Sequence, residues 1–342
     1  MARYDSFRSL LFRLEPERAH RLTLRMLSLA GAIPALRSGL RRIFSFEDPA
    51  LKVRAFGLEF ANPVGLAAGY DKDGLAMRGL ACLGLGHLEL GTVTLRPQHG
   101  NPRPRLFRLV EDRALINRMG FPNQGVDRLL ERLKSRPAGV VLGINIGKSA
   151  ETPIQEASRD YTSLMKLVYE SADYLAVNIS SPNTVGLRDL QSGRYLERLL
   201  SDLASTRARL TTDHGQSRPV LVKLAPDLGD SELEEAIEVI QGTGMDGIII
   251  ANTTTSRDGL RTLSINESGG LSGLPLFRRS TDMIRQIRSK TGGGFPIIGV
   301  GGVLGPREAR EKLNAGAALV QVYTGLIYRG PGLVREILAA LS

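Results

Sequence analysis

Apolar positions follow two regimes along the chain. Up to residue 42 they keep helical spacing: Phe7, Leu10, Leu11 and Leu14 fall at i, i+3, i+4 and i+7. Beyond Glu15-Pro16 a second set, Ala19, Leu22, Met26, Leu29, Ala30 and Ile33, holds the same period. This pattern predicts two short helices joined near Pro16. From residue 51 the period shortens. KVRAFGLEF, turning about Gly57, predicts a small hairpin. Eight apolar runs rich in β-branched residues follow: PVGLAAG (63–69), HLELGTVT (87–94), VVLGINI (140–146), YLAVNIS (174–180), PVLVKLA (219–225), GIIIANTT (247–254), PIIGVGG (296–302) and LVQVYTG (319–325).

Segments with helical periodicity separate these runs, among them TSLMKLVYESA, YLERLLSDLASTRARL, SELEEAIEVIQGTG and REAREKLNAG. Alternating strand and helix implies a parallel sheet. Eight such units over nearly 300 residues fit a closed (β/α)8 TIM barrel, of class α/β, better than an open doubly wound sheet. The expected organisation is a helical segment at 1–45, forming a small N-terminal two-helix extension, and a barrel at 46–342.

The strand ends carry the chemistry. Gly69, Thr92, Asn145, Asn178, Lys223, Asn252 with Thr253, Gly301 with Gly302, and Tyr323 with Thr324 close the apolar runs. In a barrel all of them arrive at the C-terminal rim, where substrates bind. A polar group at one strand end is ordinary, whereas one at every strand end has no packing explanation.

Composition narrows the partners. A hydrophobic content of 42% supplies a full core, and 38 glycines with 17 prolines, scattered along the chain, mark many tight turns. The single cysteine, Cys82, cannot form an internal disulfide, and His20, His87, His99 and His214 lack metal-ligand spacing, so a reducing compartment and no metal are expected. The formal charge is +10, and residues 1–42 hold nine arginines against three acids, a local excess of +6. Asp5, Arg8 and Arg13 interrupt any secretory h-region, and the longest uncharged run there, 26–36, is too short to span a bilayer. A basic helix pair with apolar faces suits the membrane interface, where each basic residue contributes roughly 1 kcal/mol near anionic lipid. An ordinary helical hairpin packed on the barrel is the competing reading, and so regular an apolar face argues against a nucleic-acid arm.

The last two strands end in Gly-Val-Gly-Gly and Tyr-Thr-Gly, whose backbone N–H groups sit where barrels commonly hold a phosphate. A dinucleotide fingerprint fails because Leu304 stands at the third glycine position, and GYDKDG (69–74) lacks the ligands of a calcium loop. Lys72 and Lys223 are cations at strand ends in apolar surroundings, which calls for an anion or a covalent role. Two enzyme classes follow: a Schiff-base aldolase using Lys223, or a flavin mononucleotide (FMN) oxidoreductase acting on an anionic substrate. The amides of Asn117, Asn145, Asn178, Asn183 and Asn252 favour the second, since they match a heterocycle of alternating C=O and N–H groups.

Matching blocks then run almost end to end: LFRLEPERAHRLTL, NPVGLAAGYDKDG, ELGTVTLRPQHGNPRPRLFRL, INRMGF, GINIGK, VNISSPNTVGLRDLQ, VKLAPD, NTTTSR, GGLSG, IIGVGG and VYTG. In these the chain resembles the dihydroorotate dehydrogenase family, in its quinone-dependent, membrane-associated class. The resemblance implies oxidation of (S)-dihydroorotate to orotate on FMN, with a quinone as final acceptor, in pyrimidine nucleotide synthesis. It implies FMN contacts at Ala68, Gly69, Lys72, Thr92, Asn145, Asn178, Lys223, Ala251, Gly273, Gly301, Gly302, Tyr323 and Thr324. Substrate contacts are implied at Lys72, Asn117, Arg118, Met119, Gly120, Phe121, Asn178, Asn183, Asn252 and Thr253. Ser181 takes the catalytic-base position, with Thr184 and Phe121 relaying and shielding the proton.

By the same resemblance the leading helices lie on the cytoplasmic face of the cell membrane as a peripheral attachment and form a quinone tunnel, with His20, Arg108 and Tyr323 at its inner end. A monomer without nucleic-acid partners is expected. The departures are Leu95 after GTVT, where proline is expected, and Ala251, which replaces a hydroxyl residue. A related FMN barrel acting on RNA, such as a dihydrouridine synthase, would need a catalytic cysteine on the rim, and Cys82 falls in a predicted helix away from it.

Overall fold

The computed structural model describes residues 2–262 and 266–342. Eight parallel strands close a barrel in chain order: β1 Val64–Leu66, β2 His87–Val93, β3 Val141–Ile146, β4 Tyr174–Asn178, β5 Val220–Leu224, β6 Gly247–Ile250, β7 Ile297–Val300 and β8 Leu319–Val322, with β8 pairing back onto β1. Each falls within one of the eight predicted runs. The helical periodicities are realised as Ala157–Val168, Gly193–His214, Asp230–Gly242 and Pro306–Asn314.

Alternation along each strand separates two apolar clusters. Outward residues such as Leu88, Leu90, Ile144, Val177 and Val222 join the core shared with the helices, while Ala176, Leu221, Ile249, Ile298 and Leu319 form a separate cluster with Phe60. Phe60 belongs to the predicted hairpin, Val53–Ala55 paired with Leu58–Phe60, and it is fully buried against the His87 ring at 5.5 Å. The hairpin therefore plugs one end of the barrel. Gly65 makes room for His87, because a Cβ at 65 would stand 2.1 Å from the imidazole.

Three antiparallel strands, Leu106–Leu109, Ala114–Asn117 and Gly270–Gly273, form a separate sheet that the sequence pattern does not reveal. Each has only four residues, too few for alternation to stand out. Through Asn117 and Gly273 this sheet supplies one wall of the cleft described below.

The N-terminal segment contains three helices rather than two: α1 Ala2–Phe12, α2 Pro16–Ala32 and α3 Pro34–Phe44. Pro34 lacks the N–H that would continue α2, and its fixed φ opens α3 from the extended Ile33. Glu15 caps α2 by accepting from the amides of Glu17 and Arg18 at 2.9 and 2.8 Å. The α2 backbone comes very close to the barrel: a Cβ on Gly79 would lie 2.1 Å from the Leu27 carbonyl oxygen.

A buried ion pair completes this docking. Glu17 on α2 accepts from both Arg105 and Arg103, and Glu17 and Arg105 are 5% and 4% exposed. Burial pushes the Glu17 carboxyl up, but the bonds and charges of the two arginines outweigh it and hold the group at about 2. This contribution to stability is complete above the ordinary carboxylate range and is lost as pH falls toward 2. Glu17→Ala should cost about 3 kcal/mol in urea unfolding, because it strands a buried guanidinium. A loss below about 0.5 kcal/mol would show that water replaces the pair, as at an exposed site.

Candidate active site

The eight parallel strands bring their C-terminal ends to one rim, and all but β3 supply lining residues to a cleft of about 960 Å³. It is lined by Ala68, Gly69, Lys72, Thr92, Asn117, Met119, Gly120, Phe121, Asn178, Ser181, Asn183, Lys223, Ala251, Asn252, Thr253, Gly273, Gly301, Gly302, Tyr323 and Thr324, every one singled out from the sequence. Residues that sequence reasoning missed complete the lining, among them Ser272, Leu276 and Gln321.

The amides form one connected network. Asn252 Nδ2 donates to Asn178 Oδ1 at 3.2 Å, Asn178 Nδ2 donates to Thr92 Oγ1 at 2.8 Å, and Thr92 Oγ1 donates to Asn145 Oδ1 at 2.5 Å. Asn145 Nδ2 then donates to Glu89 Oε1 at 2.9 Å. Asn145 thus stands behind the wall and orients the residues that line it. Across the cleft Asn183 Nδ2 donates to Asn117 Oδ1 at 3.1 Å. These bonds fix which face of each amide is presented, which is what recognition of a heterocycle requires.

Glu89 is the principal residue missed. It is fully buried and receives Lys223 Nζ at 3.3 Å, Gln321 Nε2 at 2.8 Å and Tyr174 Oη at 3.2 Å as well as Asn145. Burial alone would raise its carboxyl, but the Lys223 ammonium and the bonds from Gln321 and Asn145 hold it below the usual range. The signal in the sequence was a glutamate within the apolar run HLELGTV and a glutamine within LVQV, both at inward positions. Below them His87 is pushed down to about 4 by burial and is neutral.

Lys72 is half-buried, and its Nζ donates to the Gly69 carbonyl at 2.7 Å. Burial pushes its ammonium down to about 8, against the pull of Asp73, so it is still mainly a cation at neutral pH. Ser181 is 5% exposed, and its Oγ accepts from the Asn183 amide at 3.3 Å, a local turn that aims the hydroxyl into the cleft. Phe121 lines the cleft with a left-handed φ of 52°. Thr184 is buried outside the lining, its carbonyl accepting from the Leu187 amide. The Arg118 side chain leaves the cleft altogether: it pairs with Glu267, donates to the Pro104 carbonyl at 2.9 Å and lies 4.6 Å from the Phe107 ring centroid.

A second cavity of about 1190 Å³ lies between the N-terminal helices and the barrel, walled by apolar residues such as Phe7, Leu11, Phe12, Met26 and Leu27. His20, Arg108 and Tyr323 all line it. Arg108 donates to the carbonyls of Phe12 and Leu14 and stacks 4.6 Å from the Phe12 centroid, while burial and the Lys72 charge push His20 down to about 4. His20, Tyr70 and Tyr323 meet edge to face at 5.1 and 5.5 Å. Tyr323 lines both cavities and so forms the partition between them.

The family model described as dihydroorotate dehydrogenase matches residues 50–342. Among curated relatives, "Dihydroorotate dehydrogenase (quinone)" of Azotobacter vinelandii is 48% identical over 340 residues, covering 99% of this chain and 96% of its own. The protein of the same name from Pseudomonas putida (strain GB-1) is 48% identical, with 99% and 98% covered. Among solved structures, DHODH of Eimeria tenella in complex with ferulenol superposes with a TM-score of 0.87 at 38% identity, covering 95% of this chain and 90% of that one. Its ligand-free type gives 0.86 at 38% identity, with 95% and 94% covered. The chain belongs to the dihydroorotate dehydrogenase family.

Proposed function

We propose that this protein oxidises dihydroorotate to orotate in pyrimidine biosynthesis, with FMN in the barrel cleft and a membrane quinone as final acceptor. The observation that carries the reading is convergence: Lys72, Asn117, Asn183, Asn252, Ser181 and Lys223 meet in one cleft, and Tyr323 lines both that cleft and the neighbouring apolar cavity.

The cleft fits FMN on its own chemistry. The Gln321 Oε1 is buried without a hydrogen-bond partner, and Gln321 lines the cleft, so an acceptor waits there for a ring N–H. Lys223, Asn178 and Lys72 offer donors to ring carbonyls, and the glycine-rich ends of β7 and β8 offer backbone N–H groups to a phosphate. When bound, FMN supplies a hydride acceptor for C6 of the substrate. Lys72 and the amides of Asn117, Asn183 and Asn252 grip the substrate carboxylate and ring carbonyls, the charged contact contributing about 1.5–3 kcal/mol. Ser181 Oγ would take the C5 proton as its own hydroxyl proton passes outward to solvent, and Phe121 would shield the reacting carbon.

The leading helices serve the acceptor. Among the described residues, nine of the fourteen exposed large apolar residues, from Phe7 to Ile43, lie in the N-terminal segment, seven of them on α1–α3 and Leu14 and Ile33 in the connections, with Arg37, Arg41 and Arg42 on α3 alone. This face attaches the protein peripherally to the cytoplasmic side of the membrane as a monomer, and no described helix is long and apolar enough to cross it. An aldolase is disfavoured because Lys223 Nζ is engaged by Glu89 rather than offered as a free amine. A dihydrouridine synthase is disfavoured because Cys82 is buried outside the cleft, bonded to the Arg78 carbonyl.

The purified protein should show a flavin absorbance band that bleaches on anaerobic addition of dihydroorotate. A folded, colourless protein yielding no flavin on acid extraction would remove the cofactor from this reading. A flavin band unmoved by dihydroorotate would remove the substrate.

A further inference from the structure

Lys312 is a fully buried cation with no carboxylate in salt-bridge contact among the described residues, and nothing in the reaction above uses it. It lies on the helix Pro306–Asn314, and a glycine makes room for it: a Cβ at Gly299 in β7 would stand 3.2 Å from its Cδ. Its Nζ donates to Ser280 Oγ at 2.6 Å and Thr281 Oγ1 at 3.1 Å, and sits 5.2 Å from the Phe277 ring centroid. These partners satisfy its hydrogen bonds but not its charge. Two hydroxyls and a ring are a poor exchange for water, so an ammonium buried this way gives up its proton readily unless an anion lies nearby to hold the charge.

The bonds show on which side that anion would lie. Ser280 Oγ reaches the carbonyls of Leu276 at 2.9 Å and Gly301 at 3.3 Å, and both residues line the active-site cleft. The ammonium is therefore one hydroxyl away from the cleft wall, directly behind the turn that follows β7. The nearest charges on its other sides are Asp282 and Arg285, which pair with each other on the helix Phe277–Lys290, and Glu311 on its own helix. All three are exposed and screened by solvent. On the side of β7 the Lys312 stem faces Gly299, beside Ile284 and Ala317, none of them charged.

We propose that Lys312 is a positioning residue for the cofactor phosphate: it holds the Gly301–Gly302 turn from behind and supplies the positive charge against which the phosphate binds. This rests on the FMN reading above. It gives a buried cation to the end of the cleft formed by Gly301, Gly302 and Thr324, where the lining residues offer backbone N–H groups and hydroxyls, while Lys72 and Lys223 serve the rest of it. It also couples binding to a proton. Burial, reinforced by Arg285, pushes the Lys312 ammonium down to about 7 in the flavin-free protein. A phosphate close by raises it again, so affinity for the phosphate is highest below pH 7 and falls as pH climbs through the range between the free and bound values.

The test compares FMN with riboflavin, which has the same ring and no phosphate. Full-length protein stripped of flavin is titrated with each, following fluorescence quenching. Lys312→Met, similar in length and apolar, should weaken FMN binding about tenfold at pH 6.5 and leave riboflavin binding within about twofold. In the wild type the preference for FMN over riboflavin should decline between pH 7 and 9, and in Lys312→Met that decline should vanish. Equal weakening of both flavins would make Lys312 a purely structural residue, and an unchanged FMN affinity would overturn the proposal outright. If the variant does not fold, the wild-type profile decides alone: a preference that stays flat or rises from pH 7 to 9 overturns it. Wild-type protein that binds neither flavin would instead sink the FMN reading.

Discussion

Ser181→Ala should leave FMN bound and slow the bleaching of its absorbance by dihydroorotate by about 10²- to 10⁴-fold near pH 7, the usual worth of a positioned general base. The cleft lining makes the expectation sharp, because among the described residues it contains no histidine, cysteine, aspartate or glutamate. Two other titratable groups there are poor bases at this pH: Lys72 is mainly protonated, and burial pushes the Tyr323 phenol up to about 12, while Lys223 Nζ is turned to Glu89 at 3.3 Å. A serine hydroxyl is itself a weak base, so it can act only while hydride departure acidifies the C5 proton. Alanine should leave the loop in place, since the Asn183–Asn117 and Asn101–Asn183 bonds persist without the hydroxyl. Substrate affinity should therefore change little while the single-turnover rate collapses, the split expected of a transition-state contact. Ser181→Cys should recover part of the rate at higher pH, where a thiolate forms. Single-turnover bleaching in Ser181→Ala within about threefold of wild type would assign the proton transfer elsewhere, with Lys72 the next group to test.

How far the chain could be read from its letters depends on the range of each interaction. The eight strands were legible because each is a buried apolar run bounded by turn residues, and the rim followed because a polar side chain or a glycine closes every one. The cleft residues were legible through the blocks shared with a known family. Four features were not. The sheet of Leu106–Leu109, Ala114–Asn117 and Gly270–Gly273 joins strands more than 150 residues apart, which no local period encodes. The third helix follows α2 so closely that the two read as one segment until Pro34 is seen to reset the backbone. The Arg118 side chain leaves the cleft because it pairs with Glu267, far along the chain. The partners of Glu89 come from four different strands, so a lone glutamate in an apolar run announces only that something distant must pair with it.

Removing residues 1–45 should abolish quinone reduction and liposome binding while bleaching by dihydroorotate survives. The two half-reactions are separable because they use different walls. The barrel cleft draws no lining residue from the first 45 positions, whereas α1 and α2 supply Phe7, Leu11, Phe12, His20 and Met26 to the second cavity. Without them Tyr323 and Tyr70 face solvent, and an apolar quinone has nothing to bind. The exposed apolar face carrying Leu10, Leu29 and Ile43 also disappears, and with it the membrane attachment. The barrel should remain folded, since its strand ladder closes without these helices and the Glu17 partners Arg103 and Arg105 become accessible to water. A finer cut separates tunnel from attachment. Leu29→Glu places a charge on a residue that is 62% exposed and outside the cavity lining, so it should weaken liposome binding yet leave reduction of a soluble short-chain quinone nearly unchanged. His20→Ala should do the reverse. Truncated protein that still reduced the soluble quinone with normal affinity would mean that electrons leave the flavin by another face, and the cavity beside Tyr323 would lose its assignment.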